Sequence, residues 1–466
     1  MSDVYQNIVD LIEIHQDDKA FMLCENLLKD NSEDIKALNL KGDIFFIDNE
    51  FQKSIEVYKK SYEIDIMNFD ALKGIANSLF MMKNYYKALK FYEKALNINH
   101  KDAKLLHQFG KCLVEVKNFE KANIIFDKAL KFDYQNYELL LIDKVDVLLR
   151  LNLKEKAYEY FNIALERYPN SQTLLCNYAN FLFDKYDDFE NAFSYYLKAI
   201  EIDKNQRLPR LMLSDMIYVL SLKNKEKAEE YSLKWHELDK ENPLSEHNYQ
   251  SITKKEIEAK PSIKYIEELF DNFSESFDRV LSSIHYDAPK KAHEMVVKFC
   301  EKKEGLLNIL DVGCGTGWCG KYLKPYAKEN GLTGIDLSEG MLNKAHEKNI
   351  YDNLIKSDMI EFMNNCEDCF DLMVSTDVII YIGEVDALFV SANKSLKKGG
   401  LYIFSISKSD CDTFNLDNSG RYSHSKEYIK KSLSEAKFNI ECIENCVIRM
   451  EFDKPDLGFI FVARKT

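Results

Sequence analysis

Three acids stand at the ends of three strand-like runs in the C-terminal half: Asp311 in NILDVGCGTGWCG (308–320), Asp336 in GIDLS (334–338) and Asp358 in SDM (357–359). The first run reads as a short buried strand, Asn308 to Val312. The glycines at 313, 315 and 317 then let the backbone turn tightly and approach a ligand that a Cβ would push away. The turn opens a helix whose first amides face the same crevice.

Gly315-x-Gly317-x-x-Gly320 also satisfies the pattern that binds NAD, so the glycines alone leave two cofactors open. The acids separate them. A pyrophosphate gains nothing from a carboxylate beneath the turn, whereas a sulfonium and an ammonium are attracted by Asp311, which favours S-adenosylmethionine as methyl donor. Asp336 has the spacing of an acid that chelates ribose hydroxyls, a role common to both ligands. Asp358 can accept from an adenine amine, with Leu337, Met341 and Met359 around the ring. The bland alternative is an α/β domain whose aspartates only cap turns and helices.

From about Tyr265 to Arg464 the chain resembles the class I S-adenosylmethionine-dependent methyltransferases, in particular a bacterial group with tetratricopeptide repeats ahead of the catalytic domain. The matching segments are LFDNFSESFDRVL with HYDAP, DVGCGTGWCG, LTGIDLSEGMLNKAHEKNIYD, STDVIIYIG, LKKGGLYIFSI, GRYSHS and GFIFVARK. The resemblance implies an α/β Rossmann-like domain with a mostly parallel seven-stranded sheet and the donor at the carboxyl ends of its first strands. It also implies that Asp377 and Tyr381, after the fourth strand, lie beside the transferable methyl. Arg421, Tyr422 and His424 follow the fifth strand on the same rim, so Asp377, Tyr381 and His424 are the candidate catalytic residues. Asp377 reads equally as a loop-fixing carboxylate, and His424 as a helix-entry residue before SKEYIKKSL. Helices between Tyr265 and Lys298 are expected to cap the donor, with Phe270, Phe273 and Phe277 closing over it or docking the cap.

The elements that position this pocket occupy less than half of the chain. With 466 residues, two or more domains are expected. Residues 1–240 repeat about every 34 to 36 positions, the signature of an all-α tetratricopeptide solenoid. Ala20, Ser54, Ala88, Ala122, Ala157, Ala192 and Ala228 mark one small-residue position; Ser61, Ala95, Ala129, Ala164 and Ala199 mark another. Tyr58, Tyr92, Phe126, Phe161 and Tyr196 precede the second series by three residues and fill the groove between repeats. Phe51, Tyr85 and Phe119 read as core too. Residues 241–262 read as a polar linker permitting domain rotation, and 263–466 as the catalytic domain.

A net charge of −14 disfavours nucleic acid, whose affinity depends on Lys and Arg neutralising phosphates. No apolar run reaches membrane-spanning length, and the first residues lack the blocks of a signal peptide, so a cytoplasmic protein is expected. The 11 cysteines are then reduced thiols. Cys366-x-x-Cys369 and Cys442-x-x-x-Cys446 would suit zinc only if their segments converged, and no metal is expected. The leading functional expectation is a methyltransferase whose repeat groove recruits a protein or peptide acceptor. A small-molecule methyltransferase with repeats used for assembly, and a donor-binding sensor without turnover, are the alternatives.

Overall fold

A small residue where two helices cross lets their backbones approach, and an aromatic three positions earlier fills the space left beside it. A computed structural model of the chain, which describes residues 2–284, 286–300, 303–451 and 454–466, places both small-residue series at full burial. Tyr58, Tyr92, Phe126, Phe161 and Tyr196 are at most 2% exposed, as core fillers should be. Phe51, Tyr85 and Phe119 are only half-buried, because each begins its helix and keeps one ring face at the surface.

The chain divides into two compact units, Met1–Tyr178 and Ala179–Thr466. In the first, antiparallel helix pairs repeat, among them Ile35–Ile47 with Phe51–Ile64 and Phe69–Met81 with Tyr85–Ile98. Asp34, Asn68 and Asp102 cap the first helix of successive pairs with side-chain oxygens. Asn49, Lys83, Lys117 and Asn152 take the left-handed conformation between the helices of each pair (φ 58° to 60°), so the backbone repeats as faithfully as the side chains. Tyr58 sits between two glycine faces: a Cβ at Gly42 or Gly74 would lie 2.7 or 2.3 Å from its ring.

The second unit begins inside the helical series, which continues through Phe189–Ile202, Leu208–Lys223 and Lys225–Leu238. The polar linker read from residues 241–262 takes another form here. Pro243–Thr253 is a helix that buries Leu244, His247, Tyr249 and Ile252, with Asn242 capping it. His247 Nε2 donates to the Gly420 carbonyl at 2.8 Å, and Asn248 bonds Ser214 and Ser232. The rest of the segment is also docked: Gly383 N donates to Ala259 O at 2.7 Å, and Tyr422 Oη to Glu258 O at 2.7 Å. A buried, hydrogen-bonded segment of this kind does not serve as a swivel.

The sheet has seven strands: β1 (Leu307–Val312), β2 (Ala327–Asp336), β3 (Asn353–Lys356), β4 (Phe370–Ser375), β5 (Leu396–Ser407), β8 (Phe438–Glu451) and β9 (Lys454–Lys465). Their order is β3-β2-β1-β4-β5-β9-β8; the first five run parallel, and β9 is antiparallel to both neighbours. A two-stranded ribbon, β6 (Phe414–Leu416) and β7 (Tyr422–His424), lies apart. Buried Leu310, Val312, Met373, Tyr402 and Phe404 face one helical layer, and Ile309, Leu372, Ile403 and Val462 the other. Strand order reverses between β1 and β4, and such a reversal leaves a crevice at the carboxyl ends.

The two cysteine pairs do not meet. Cys366 and Cys369 precede β4 while Cys442 and Cys446 lie on β8, with β5 and β9 between. Among the described residues no group of three or more potential ligands is arranged for a metal, and no helix is long and apolar enough to cross a membrane.

Candidate active site

The crevice at the strand reversal opens into a cavity of 480 Å³, within the range of small-molecule sites. Its floor is the glycine turn. Gly313, Gly315 and Gly317 all have positive φ (66°, 52° and 87°), which side-chain-bearing residues resist. A Cβ on Gly313 would fall 2.5 Å from Val378, whereas one on Gly315 would meet only the Phe277 ring at 3.7 Å, so Gly315 presents bare backbone to the cavity.

Asp336 at the end of β2 holds that turn: it accepts from Gly315 N at 2.8 Å and Ser338 N at 2.9 Å. Burial raises its pKa and these amides oppose the rise. Asp311 is almost wholly enclosed and accepts from the Tyr351 phenol at 2.6 Å. Burial pushes its carboxyl up to about 7 and Asp336 adds to the rise, with Tyr351 opposing. Asp358 caps the helix Met359–Asn364 and pairs with Lys260 Nζ at 2.6 Å. Burial works against its charge, yet Lys260 and the helix amides hold it below the usual carboxylate range.

Of the nine residues expected around the donor, seven line the cavity: Asp311, Gly313, Gly315, Asp336, Leu337, Asp358 and Met359. Gly317 and Met341 do not. Gly317 backs onto Tyr351, and Met341 is buried in its helix, where its amide donates to the capping Ser338. A bare-backbone floor, an enclosed acid and two further acids at successive strand ends fit a cationic adenosyl ligand.

Two helices form the roof, Ile263–Phe273 and Phe277–Ser283, and Phe270, Phe273 and Phe277 all face the cavity; His285 lies outside the described residues. Two carboxylates fasten this roof to the floor. Asp271 accepts from Ser338 Oγ at 2.6 Å and Gly340 N at 3.2 Å. Asp278 accepts from Thr316, from Trp318 Nε1 at 2.7 Å and from Lys348 at 2.7 Å. Burial opposes its charge, but these donors hold its pKa below the ordinary value.

Asp377 and Tyr381 both line the cavity. Asp377 has φ 64° and is gripped on both oxygens by Arg449, at 2.6 and 2.8 Å. Burial raises its pKa and Arg449 opposes. A fork this tight occupies both oxygens with permanent donors, the geometry of a structural anchor. Tyr381 stands edge-on to Phe270 at 5.2 Å and lies within electrostatic reach of Arg421, whose Nη1 lies 3.3 Å from both oxygens of Glu451.

His424 is placed differently from its expected position on the rim. It ends β7, is fully buried, and donates Nε2–H to the Gly383 carbonyl at 3.1 Å; it is not part of the cavity wall. Burial pushes its pKa down to about 4. A neutral, enclosed imidazole serves the ribbon's packing, and its neighbour Ser425 caps the helix Lys426–Glu435.

Several lining residues escaped sequence reasoning: Asp215 from the helix Leu208–Lys223, Lys260, and Arg449 and Glu451 from β8. The only local signal for Asp215 is an acid inside the apolar run LMLSDMIYVL.

Strand order, glycine turn and acids together define a class I S-adenosylmethionine-dependent methyltransferase domain. Comparison with known families agrees: residues 309–400 match the family described as "Methyltransferase domain", and residues 35–65, 69–102 and 173–206 match tetratricopeptide repeat families. The chain thus carries tetratricopeptide repeats followed by a methyltransferase domain. Relatives include the biotin biosynthesis bifunctional protein BioHC of Saccharophagus degradans, 30% identical over 32% of this chain and 26% of that protein. The malonyl-[acyl-carrier protein] O-methyltransferase of Buchnera aphidicola is 30% identical over 32% of this chain and 61% of its own length. The chain therefore spans between 26% and 61% of these two curated relatives. An S-adenosylmethionine-dependent methyltransferase from Mesorhizobium loti is similar over 37% of this chain and 98% of its own, at 21% identity and a TM-score of 0.30.

Proposed function

We propose that this protein is a cytoplasmic S-adenosylmethionine-dependent methyltransferase whose repeat array recruits a protein or peptide acceptor. One observation carries the reading. The cavity that holds the donor turn is lined also by Leu211, Ser214 and Asp215 of the helix Leu208–Lys223 and by Leu244 of the helix Pro243–Thr253, so the helical series helps to build the chamber.

S-adenosylmethionine, when bound, supplies a methyl group on a sulfonium, already activated for displacement. The chain's task is alignment and exclusion of water. Asp336 and the glycine turn hold the ribose end, Asp311 the ammonium, and Asp358 with Leu337 and Met359 the adenine. Phe270 and Phe277 close the roof above them. Tyr381, steadied by Arg421, orients the acceptor, and Asp377 fixes the loop through Arg449. The relatives named for malonyl-[acyl-carrier protein] act on an acceptor carried by a protein, which accords with a protein-borne acceptor here.

The test is incubation of the purified protein and tritiated S-adenosylmethionine with lysate fractionated by size. The proposal expects label in the protein range, lost when Tyr381 and Asp336 are replaced. Label confined to the small-molecule fraction would contradict recruitment and support a metabolite acceptor.

A further inference from the structure

The acceptor side of the cavity contains a mismatch of charge. Arg449 is matched by Asp377 and Asp456, and Arg421 by Glu451, which also accepts from Tyr218 at 3.0 Å. Lys260 is matched by Asp358. Asp215 has no such partner. Its side chain is exposed to the cavity that it lines, and among the described residues no side chain or backbone amide donates to it. Arg421 is the one charged group that moves its titration appreciably, and that guanidinium is already shared between Glu451 and Tyr381. Burial lifts the Asp215 carboxyl to about 6, which leaves it ionised at neutral pH.

A carboxylate that faces a cavity without an ionic partner attracts a cation, the more so where the surrounding walls are of low dielectric. The same cavity is lined by the apolar Leu211, Leu244, Ile263, Ile266 and Leu269. Such a wall suits a hydrocarbon stem ending in a charged head. The phenols of Tyr265 and Tyr381 supply the remaining polar surface, and the Tyr265 phenol is within electrostatic reach of Asp215.

We propose that Asp215, contributed by the helical series, binds the acceptor, and that the acceptor is a primary amine on an apolar stem, such as a lysine side chain. This rests on the methyltransferase reading above. The amine enters as an ammonium paired with Asp215 and gives one proton to that carboxylate, leaving a neutral nitrogen with its lone pair. That pair attacks the methyl carbon, the carbon–sulfur bond breaks with its electrons going to sulfur, and the products are a methylated ammonium and the neutral thioether S-adenosylhomocysteine. The Asp215 proton then leaves to solvent. A carboxylate acceptor would meet repulsion at the same point.

The full-length protein, saturated with S-adenosylhomocysteine, is titrated calorimetrically with n-hexylamine, n-hexanol and hexanoate at neutral pH, as wild type and as Asp215→Asn and Asp215→Leu. Because Asp215 makes no internal bond, both variants should keep the fold, which retained S-adenosylhomocysteine binding verifies. The expected result is preference for hexylamine, weakened about tenfold or more in Asp215→Asn, with hexanol little changed. Asp215→Leu should reverse the preference toward hexanol. Hexanoate binding best, or hexylamine binding equally well to all three proteins, would overturn the inference while leaving the methyltransferase reading intact. Failure of the wild type to bind S-adenosylhomocysteine would instead overturn the methyltransferase reading and the inference with it.

Discussion

Lowering the pH should weaken donor binding through a single carboxylate. Asp311 is enclosed beneath the glycine turn, and burial pushes its pKa up to about 7, near neutrality. An ammonium pairs with the ionised form only, so binding is linked to loss of the Asp311 proton. With a pKa of about 7, the ionised fraction falls from roughly one half at pH 7 to roughly 3% at pH 5.5, and the apparent affinity should fall about 15-fold over that interval. The ligand's own α-amino group stays protonated across it. The buried histidines of this unit do not contribute, because burial holds His247 and His424 down at about 4. The assay is calorimetric titration with S-adenosylhomocysteine at several pH values. Asp311→Asn should bind more weakly and lose the slope, and Tyr351→Phe should move the midpoint upward by removing a donor to Asp311. For stability the sign is opposite: a raised carboxyl favours the folded state at low pH and loses that contribution as pH rises through about 7. A wild-type affinity that does not vary between pH 5.5 and 7 would refute the assignment of Asp311 to the ammonium.

The Asp377–Arg449 fork should behave as an anchor. Asp377→Asn and Arg449→Met should each cost about 3–5 kcal/mol, and the double variant less than their sum by about 2 kcal/mol, followed by fluorescence of Trp235 and Trp318 during denaturation. Strictly additive costs would argue against a coupled pair. Asp278→Asn removes a charge-assisted latch of about 1.5–3 kcal/mol between roof and turn. Donor release should quicken about 10- to 100-fold, read by stopped flow on Trp318, which loses its carboxylate partner. In the repeats, a Cβ on Gly110 would lie 2.1 Å from Phe126, so Gly110→Ala should destabilise by about 1–2 kcal/mol despite alanine's higher helix propensity. Circular dichroism in urea would show it, since neither tryptophan lies in the first unit.

The donor turn could be read from the sequence because its information is local: strand, three glycines, helix and a following acid lie in one stretch of chain. The repeats were legible for a related reason, as close helix crossings demand small residues at a fixed period. The acceptor side is different. Asp215, Tyr265, Arg421 and Arg449 are brought together from a repeat helix, a roof helix, a ribbon and β8. No spacing rule links them. Arg449 and Glu451 stand two residues apart on β8 and so share a face, but nothing in the local sequence shows what that face meets. His424 misled because GRYSHS looks like a polar loop, yet its tyrosine, serine and histidine pair with Phe414–Leu416 and are buried. Polar composition likewise disguised Pro243–Thr253, whose polar side chains are consumed by bonds inside the fold.

The central claim is that Asp336 and the glycine turn hold a methyl donor. Calorimetry with S-adenosylmethionine and S-adenosylhomocysteine on the wild type and Asp336→Ala, with NAD as control, tests it most directly. The account predicts micromolar binding of both methyl ligands, lost in the variant, and no binding of NAD. Folded wild-type protein that binds NAD, or that binds neither methyl ligand, would contradict it.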